Sequence, residues 1–157
     1  MLKNKLFIFL LFVSVLPVMS QITLYRGDAK FNADVAFTIE NGRVYHGDGS
    51  RMNKAVLTIS DNRIYLGQSN SSFDCLYTIK DNKVYLGDSN FSSDIIYTIE
   101  EGKVYRGNST FSSNCILTID EDKIYMGDST FPNDLLFTVG GDNYLSNSII
   151  ACIVGPY

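Results

Sequence analysis

The sequence predicts an all-β fold made of six tandem copies of a twenty-residue unit, each copy folding as two short strands. Three observations predict it: a fixed period, short runs rich in β-branched and aromatic residues, and turn residues between the runs. Glycine recurs every twenty residues from Gly27 to Gly127, a tyrosine lies two places before each of these glycines, and threonine recurs from Thr38 to Thr138. The six copies define a repeat domain over residues 21–141.

The segment before the repeats, residues 1–20, has the layout of a secretory signal peptide. Lys3 and Lys5 form a basic start, an apolar run follows, and Val18 and Ser20 stand just before the expected cleavage site. The run contains a proline and is shorter than the roughly 20 apolar residues of a bilayer span. We therefore expect an exported protein, periplasmic or extracellular, with no stable membrane span after cleavage. An uncleaved membrane anchor is the alternative.

Charge and cysteine content exclude several classes of protein. Loss of Lys3 and Lys5 leaves 11 basic residues against 17 acidic ones, a net charge of −6. An acidic chain of this kind repels nucleic-acid phosphates, and no basic cluster interrupts it. Cys75, Cys115 and Cys152 are too few for a disulfide scaffold and lack metal-binding spacing, so we expect no metal and no other cofactor.

Each copy contains a first strand of the type K-[VI]-Y-x-G and a second of the type D-I-I-Y-T-I-x. Triplets such as ENG, KDN and EEG follow the second strand and end in residues that tolerate positive φ. They suit a three-residue hairpin loop with a bulge, which pairs Tyr97 with Tyr105. A two-residue turn shifts the register by one and pairs Ile99 with Val104. The sequence leaves both registers open.

The other connection in each copy is a polar loop, for example GDSNFSSD, whose Ser, Asn and Asp side chains stabilise turns. An aromatic ring stands in the middle of four of these loops, and we expect it to fold back over the end of a core. These rings belong to Phe31, Phe91, Phe111 and Phe131.

Two architectures fit the repeat: a curled antiparallel β-hairpin array of about twelve strands, and a β-solenoid with one coil per copy. A solenoid stacks the equivalent basic residues of successive copies in one ladder about 4.8 Å apart, and like charges directly opposite each other destabilise a sheet. These residues are Arg43, Arg63, Lys83, Lys103 and Lys123. A hairpin array separates them by two strands, so we prefer it and keep the solenoid as the alternative.

Residues 142–157 break the pattern and form no seventh copy. They suit a short helix from about Ser148 or an extended strand. Because a stack of repeats needs a different terminal unit over its last open edge, we predict that this segment caps the stack. Its capping residues are Ile149, Ile150, Ile153 and Val154.

The repeat resembles that of exported tandem-repeat proteins of Bacteroidetes-like bacteria, which carry IYxGdSxxxsDilyTIxdgkIY units behind a signal peptide. The resemblance covers residues 22–139 and implies export and a β-repeat fold, but no site residue. A likeness to the MORN repeat, a hairpin array, is looser, because that repeat is longer and its G-x-G-x-[YF] pattern is absent from this chain.

The sequence offers little for catalysis, and we predict no enzyme and no catalytic residue. The histidine His46 occupies a position that is arginine, leucine or methionine in other copies, which indicates a surface or edge site. Cys75 and Cys115 replace the aliphatic residues of other copies, so we interpret them as core residues and predict no disulfide between them.

Two further patterns have ordinary structural explanations. Alternating oxygen side chains in one loop are faintly similar to a calcium loop but lack its central glycine and its bidentate glutamate, and turn hydrogen bonds explain them. These residues are Asp88, Asn90, Ser92 and Asp94. The threonine row is too sparse for an ice-binding surface.

The function that this pattern best supports is a non-enzymatic, exported scaffold that binds another protein of the cell envelope. A carbohydrate-binding module is the first alternative, because an evenly spaced row of exposed tyrosines can stack on sugar rings; the other interpretation is that these tyrosines fill half-buried sheet positions with their hydroxyls reaching water. The row comprises Tyr45, Tyr65, Tyr85, Tyr105 and Tyr125. The second alternative is a structural protein that assembles edge to edge through unpaired strands. The partner is thus an envelope protein or a polysaccharide, and not nucleic acid.

Overall fold

A computed structural model describes residues 21–49, 54–141 and 143–155. The predicted signal peptide, residues 1–20, lies outside the described residues. The described chain forms twelve strands and one α-helix. The strands are β1 (Gln21–Arg26), β2 (Val35–Glu40), β3 (Arg43–His46), β4 (Leu57–Ser60), β5 (Arg63–Leu66), β6 (Cys75–Lys80), β7 (Lys83–Leu86), β8 (Ile95–Glu100), β9 (Lys103–Arg106), β10 (Cys115–Asp120), β11 (Lys123–Met126) and β12 (Leu135–Gly140). Helix α1 spans Asn147–Val154.

The strands form a closed antiparallel barrel in sequence order. Each strand pairs with its neighbours along the chain, and β1 pairs with both β2 and β12. The predicted hairpin array is therefore confirmed, and the solenoid alternative is wrong, because consecutive strands bond to each other within one layer. Closure also leaves the barrel without a free sheet edge.

The hairpins use two-residue turns. Ile99 lies opposite Val104, and Tyr97 lies opposite Arg106, so the three-residue register is wrong. Both residues of the turn, Glu101 and Gly102, have positive φ, at 48° and 77°. Two positive φ values define the type I′ turn, whose twist matches that of the flanking strands.

The sixth hairpin is made from the two ends of the repeat domain. Strand β12 pairs with β1, and Thr138 lies opposite Tyr25 as Thr98 lies opposite Tyr105 in an ordinary hairpin. The repeats begin with a first-type strand and end with a second-type strand. These two complementary halves close the ring.

The inner face of the barrel carries one fully buried aliphatic residue from each copy. These are Leu24, Val44, Ile64, Val84, Val104 and Ile124, each 0% exposed. They belong to the same core cluster as the buried residues of α1. Five consecutive helical residues, 150–154, are buried, and successive residues point about 100° apart, so the helix is covered on all sides.

Helix α1 therefore lies inside the barrel, where its surface fills the space between opposite strands. It begins after Ser146, whose hydroxyl accepts a hydrogen bond from the Ile149 amide at 3.3 Å. The sequence predicts a cap over an open edge, but a closed ring has no such edge. The apolar residues of the segment pack against the inner faces of the strands instead. In the described part of the chain, no helix has the length and apolar content needed to cross a membrane.

The threonine row holds the outer loops in place. In all six copies the threonine hydroxyl donates a hydrogen bond to the carbonyl oxygen of the repeated glycine, at 2.6–2.8 Å. The glycine has a positive φ, for example 67° at Gly87, which turns the chain out of the strand into the loop. A short 3-10 turn, such as Ser92–Asp94, then leads into the next strand.

Candidate functional site

The predicted tyrosine row lies on the outer face of the barrel but is covered. Each of its five rings is only 7 or 8% exposed. Tyr65 packs opposite Cys75 and Tyr105 opposite Cys115 at a β-bulge between neighbouring copies. Stacking on a sugar needs an open ring face, so this row does not form the expected binding surface.

The cysteines are free thiols. Cys75 is buried and Cys115 half-buried, but both lie in the outer layer beside the tyrosines and not in the barrel core. Their thiols donate to backbone carbonyl oxygens, that of Cys115 to Leu117 at 3.4 Å. Cys152 lies in α1, and burial raises the pKa of its thiol to about 12. A thiol with such a pKa is protonated at neutral pH and unreactive.

His46 and the acidic loops have structural surroundings. The His46 ring lies 5.2 Å from the Phe37 ring, opposite it in the sheet. In the loop that is faintly similar to a calcium site, the Ser89 hydroxyl bonds to the Asp94 carboxylate and accepts from the Phe91 amide at 3.2 Å. Within residues 21–49, 54–141 and 143–155, no group of three or more His, Cys, Asp or Glu residues has the arrangement of a metal site.

The loop phenylalanines are among the most exposed aromatic residues of the described chain. Phe31, Phe91, Phe111 and Phe131 are 69–76% exposed, so the expectation that they cover a core is wrong. In the loops of Phe91 and Phe131 the physical reason is the loop itself: a serine hydroxyl bonds to the aspartate carboxylate and accepts from the phenylalanine amide, which holds the ring at the tip. Phe73, two places later in its loop, is 98% exposed. The sequence does place polar residues on both sides of each ring, and this pattern indicates an exposed position.

Ion pairs fix the loops against the outer wall of the barrel. The Arg63 guanidinium lies 2.7 Å from the Asp88 carboxylate, and the Lys103 ammonium lies 2.6 Å from that of Asp128. Each pair joins a strand to the loop twenty-five residues on, and hydrogen bonds to the acid raise the pKa of both basic groups. Exposed pairs of this kind add little to stability. Their effect is to position the loops.

One of these loops and the wall beside it enclose a cleft of about 510 Å³. The β4–β5 turn forms one side, the end of β6 forms the floor, and residues 88–91 form the other side. Its lining combines amide, charged and aromatic side chains, and the Phe91 ring stands at its edge. These side chains belong to Asn62, Arg63, Lys80, Asp88, Asn90 and Phe91.

Comparison with known proteins places the chain in a repeat family. Residues 24–153 match the family model described as 6-fold beta flower protein, so the match includes all six hairpins and most of α1. No curated protein and no solved structure gives a significant match. The sixfold description agrees with the six hairpins of the barrel. The chain belongs to the 6-fold beta flower protein family.

Proposed function

We propose that this protein is an exported, non-enzymatic scaffold that binds another protein of the cell envelope through the phenylalanines of its outer loops. The observation that carries the proposal is the exposure of a large aromatic ring on five loops of one barrel. The family is a β-repeat family and not a known enzyme family.

The loops meet the physical requirements of a protein-binding surface. Aromatic residues supply much of the binding energy at protein interfaces, and exposed apolar side chains rimmed by polar ones mark such sites. The loops are short, internally hydrogen-bonded and tied to the barrel by the threonine bond and by ion pairs. Binding therefore orders few side chains, which lowers its entropic cost.

The export part of the proposal rests on residues 1–20. Their basic start, apolar run and small terminal residue are typical of a signal peptide. The resemblance to exported bacterial repeat proteins supports the same compartment, periplasmic or extracellular.

The two alternative functions lose their structural basis in this fold. The tyrosine row has no open ring faces, which removes the basis for sugar stacking on that row. Edge-to-edge assembly needs unpaired strands, and the barrel pairs each of its twelve strands on both sides. Protein binding through the loops uses a feature that the structure does expose.

A crosslinking pull-down of the tagged protein from its own cell envelope, read by mass spectrometry, tests the proposal. We expect one stoichiometric protein partner with the native chain. A variant with Phe91, Phe111 and Phe131 replaced by serine should lose that partner while keeping its melting temperature, because these rings touch no core.

The matched control replaces Tyr144 by serine, since this ring is 83% exposed but lies outside the loops. The control should retain the partner. Equal recovery of the partner with the triple variant would contradict the proposal, as would recovery of self-crosslinks alone.

A further inference from the structure

The cleft beside Phe91 carries two asparagines at positions where another copy has an ion pair. In the equivalent cleft of another copy, the Lys30 ammonium lies 2.9 Å from the Asp122 carboxylate and bridges the two walls. Asn90 and Asn62 hold these positions beside Phe91, and neither side chain has a partner among the described residues. The cleft beside Phe91 has a volume of about 510 Å³, within the range of small-ligand sites.

The same cleft contains a lysine that the fold does not use. Lys80, at the end of β6, lies directly opposite Lys83, whereas the next hairpin places Glu100 opposite Lys103. Like charges opposite each other destabilise a hairpin, so stability does not account for Lys80. It has no ion pair in the described part of the chain, whereas Arg63 is neutralised by Asp88 at 2.7 Å.

The lining matches the chemistry of a charged sugar. The Phe91 ring, 70% exposed, offers an apolar face to the C–H side of a pyranose. The amides of Asn62 and Asn90 present donors and acceptors, which suits neighbouring hydroxyl groups. Lys80 supplies an unpaired cation for a carboxylate, and a bond between two ionised groups is stronger than a neutral one.

We propose that this cleft binds an acidic saccharide, a uronate-bearing chain whose ring stacks on Phe91 and whose carboxylate pairs with Lys80. The site shares Phe91 with the protein-binding surface proposed above, but saccharide binding does not depend on that function. A ligand site also accounts for the difference between this copy and the bridged one, which carries Gly140 at the position of Lys80.

Calorimetric titration of the purified protein with a trigalacturonate and with a neutral cellotriose of the same length tests the proposal. The uronate should bind at one site, and the neutral trimer should bind about tenfold more weakly, since it lacks the charged bond. Lys80→Ser should weaken uronate binding about tenfold and remove the preference. Equal affinity for the two trimers, or no uronate binding, would overturn the assignment.

A charge-neutral double variant provides the sharper test. Asn62→Asp with Asn90→Lys introduces the ion pair of the bridged cleft and should abolish uronate binding without lowering the melting temperature. The matched control, Lys30→Asn with Asp122→Asn, removes that pair from the other cleft and should bind uronate as the native protein does. Unchanged binding in the first variant would place the saccharide elsewhere and refute the site.

Discussion

Single residues in this fold are placed by the hydrogen bonds of the loops as much as by hydrophobicity. The repeated threonine is conspicuous in the sequence, and its hydroxyl closes each hairpin by bonding to the repeated glycine, at 2.6 Å for Thr38 and Gly47. The tyrosine opposite it in the sheet is buried, with Tyr45 only 8% exposed. The phenylalanine of the loop is exposed, because neighbouring side chains bond to each other and to the backbone and leave it at the tip.

These placements show how much of each side chain's direction and exposure the sequence pattern can predict. The neighbouring positions of Val104 and Tyr105 correctly predict that the two side chains point to opposite faces. It does not predict how far each outer residue is exposed, because exposure depends on the residues that neighbouring strands and loops place beside it. The patterns leave the tyrosine row either exposed or half-buried and predict a covered Phe91, whereas the structure buries Tyr85 and exposes Phe91.

At the residue scale, Cys152 predicts a pH dependence of stability. Burial holds its pKa at about 12 in the folded protein, against 9 for an ordinary thiol. The folded state therefore keeps a proton that the unfolded state loses above pH 9, so this stabilisation is complete below pH 9 and is lost as pH rises toward 12. We expect the free energy of unfolding to fall by about 1–2 kcal/mol from pH 8 to pH 10 on account of this group.

Urea unfolding of the native protein and of Cys152→Ala at pH 8, 9 and 10 measures this effect. The variant should be less stable at pH 8, because it leaves a small cavity, but should show the smaller decline with pH. Parallel declines in the two proteins would contradict the prediction.

At the scale of elements, the turn sets the register and the register sets the two faces. The turn residues Asn41–Gly42 and Glu101–Gly102 have positive φ at both positions. The sequence correctly marked glycine and asparagine as residues that tolerate this conformation. It left the number of turn residues open, because apolar side chains occur on both faces of the strands and each register buries some of them.

Gly102 illustrates how tightly a turn is built. Its φ is 77°, and a Cβ at this position would lie 2.7 Å from the carbonyl oxygen of Ile119 on the neighbouring strand. Gly107 has a similar φ of 70° but nothing within 4 Å of its Cβ position. An alanine in this left-handed conformation costs about 1 kcal/mol at either site. At Gly102 its Cβ would also clash with the backbone of the neighbouring strand.

We therefore expect Gly102→Ala to lower the free energy of unfolding by more than Gly107→Ala does, with a difference of about 1 kcal/mol or more. Chemical denaturation of the two variants beside the native protein measures that difference. Equal losses would mean that the Ile119 carbonyl moves aside freely, and the described packing between neighbouring hairpins would be wrong.

At the scale of the whole molecule, two features determine the fold: closure of the ring by its ends and filling of its centre by α1. The sequence contained a sign of closure, since the repeats begin with a first-type strand and end with a second-type strand. Closure itself could not be predicted, because it depends on the twist and tilt accumulated over twelve strands. The place of α1 followed from closure, because only a closed ring has an interior to fill.

The closing hairpin predicts that the barrel tolerates a circular permutation. Strands β12 and β1 pair with the same register as the strands of an ordinary hairpin but lack a turn between them. The helix must remain after a second-type strand, because the chain enters the barrel from the rim where β12 ends. If β1 alone is moved behind β12, the repeats end at the opposite rim of the barrel. If α1 is moved to the front of the chain, it is separated from β12.

The permutation that respects both constraints moves the start of the chain by two strands while α1 stays attached to the end. It begins with the first-type strand β3 and carries the displaced β1–β2 pair, with the loop between them, after β12 and before α1. Because β1 already pairs with both β12 and β2, a two-residue Asn-Gly turn from β12 into β1 should preserve the native register of these pairs, and β2 becomes the second-type strand that ends the repeats.

We expect this permutant to fold to the same barrel, with a stability within about 2 kcal/mol of the native chain. Far-ultraviolet circular dichroism, together with protection of Cys152 from thiol reagents, measures the outcome, since protection requires α1 to be inside the closed ring. The control is the same permutant with β1 deleted, which cannot close the ring and should leave Cys152 reactive. A folded control with a protected Cys152 would show that α1 is held without closure, and it would overturn the role of the two ends of the repeat domain.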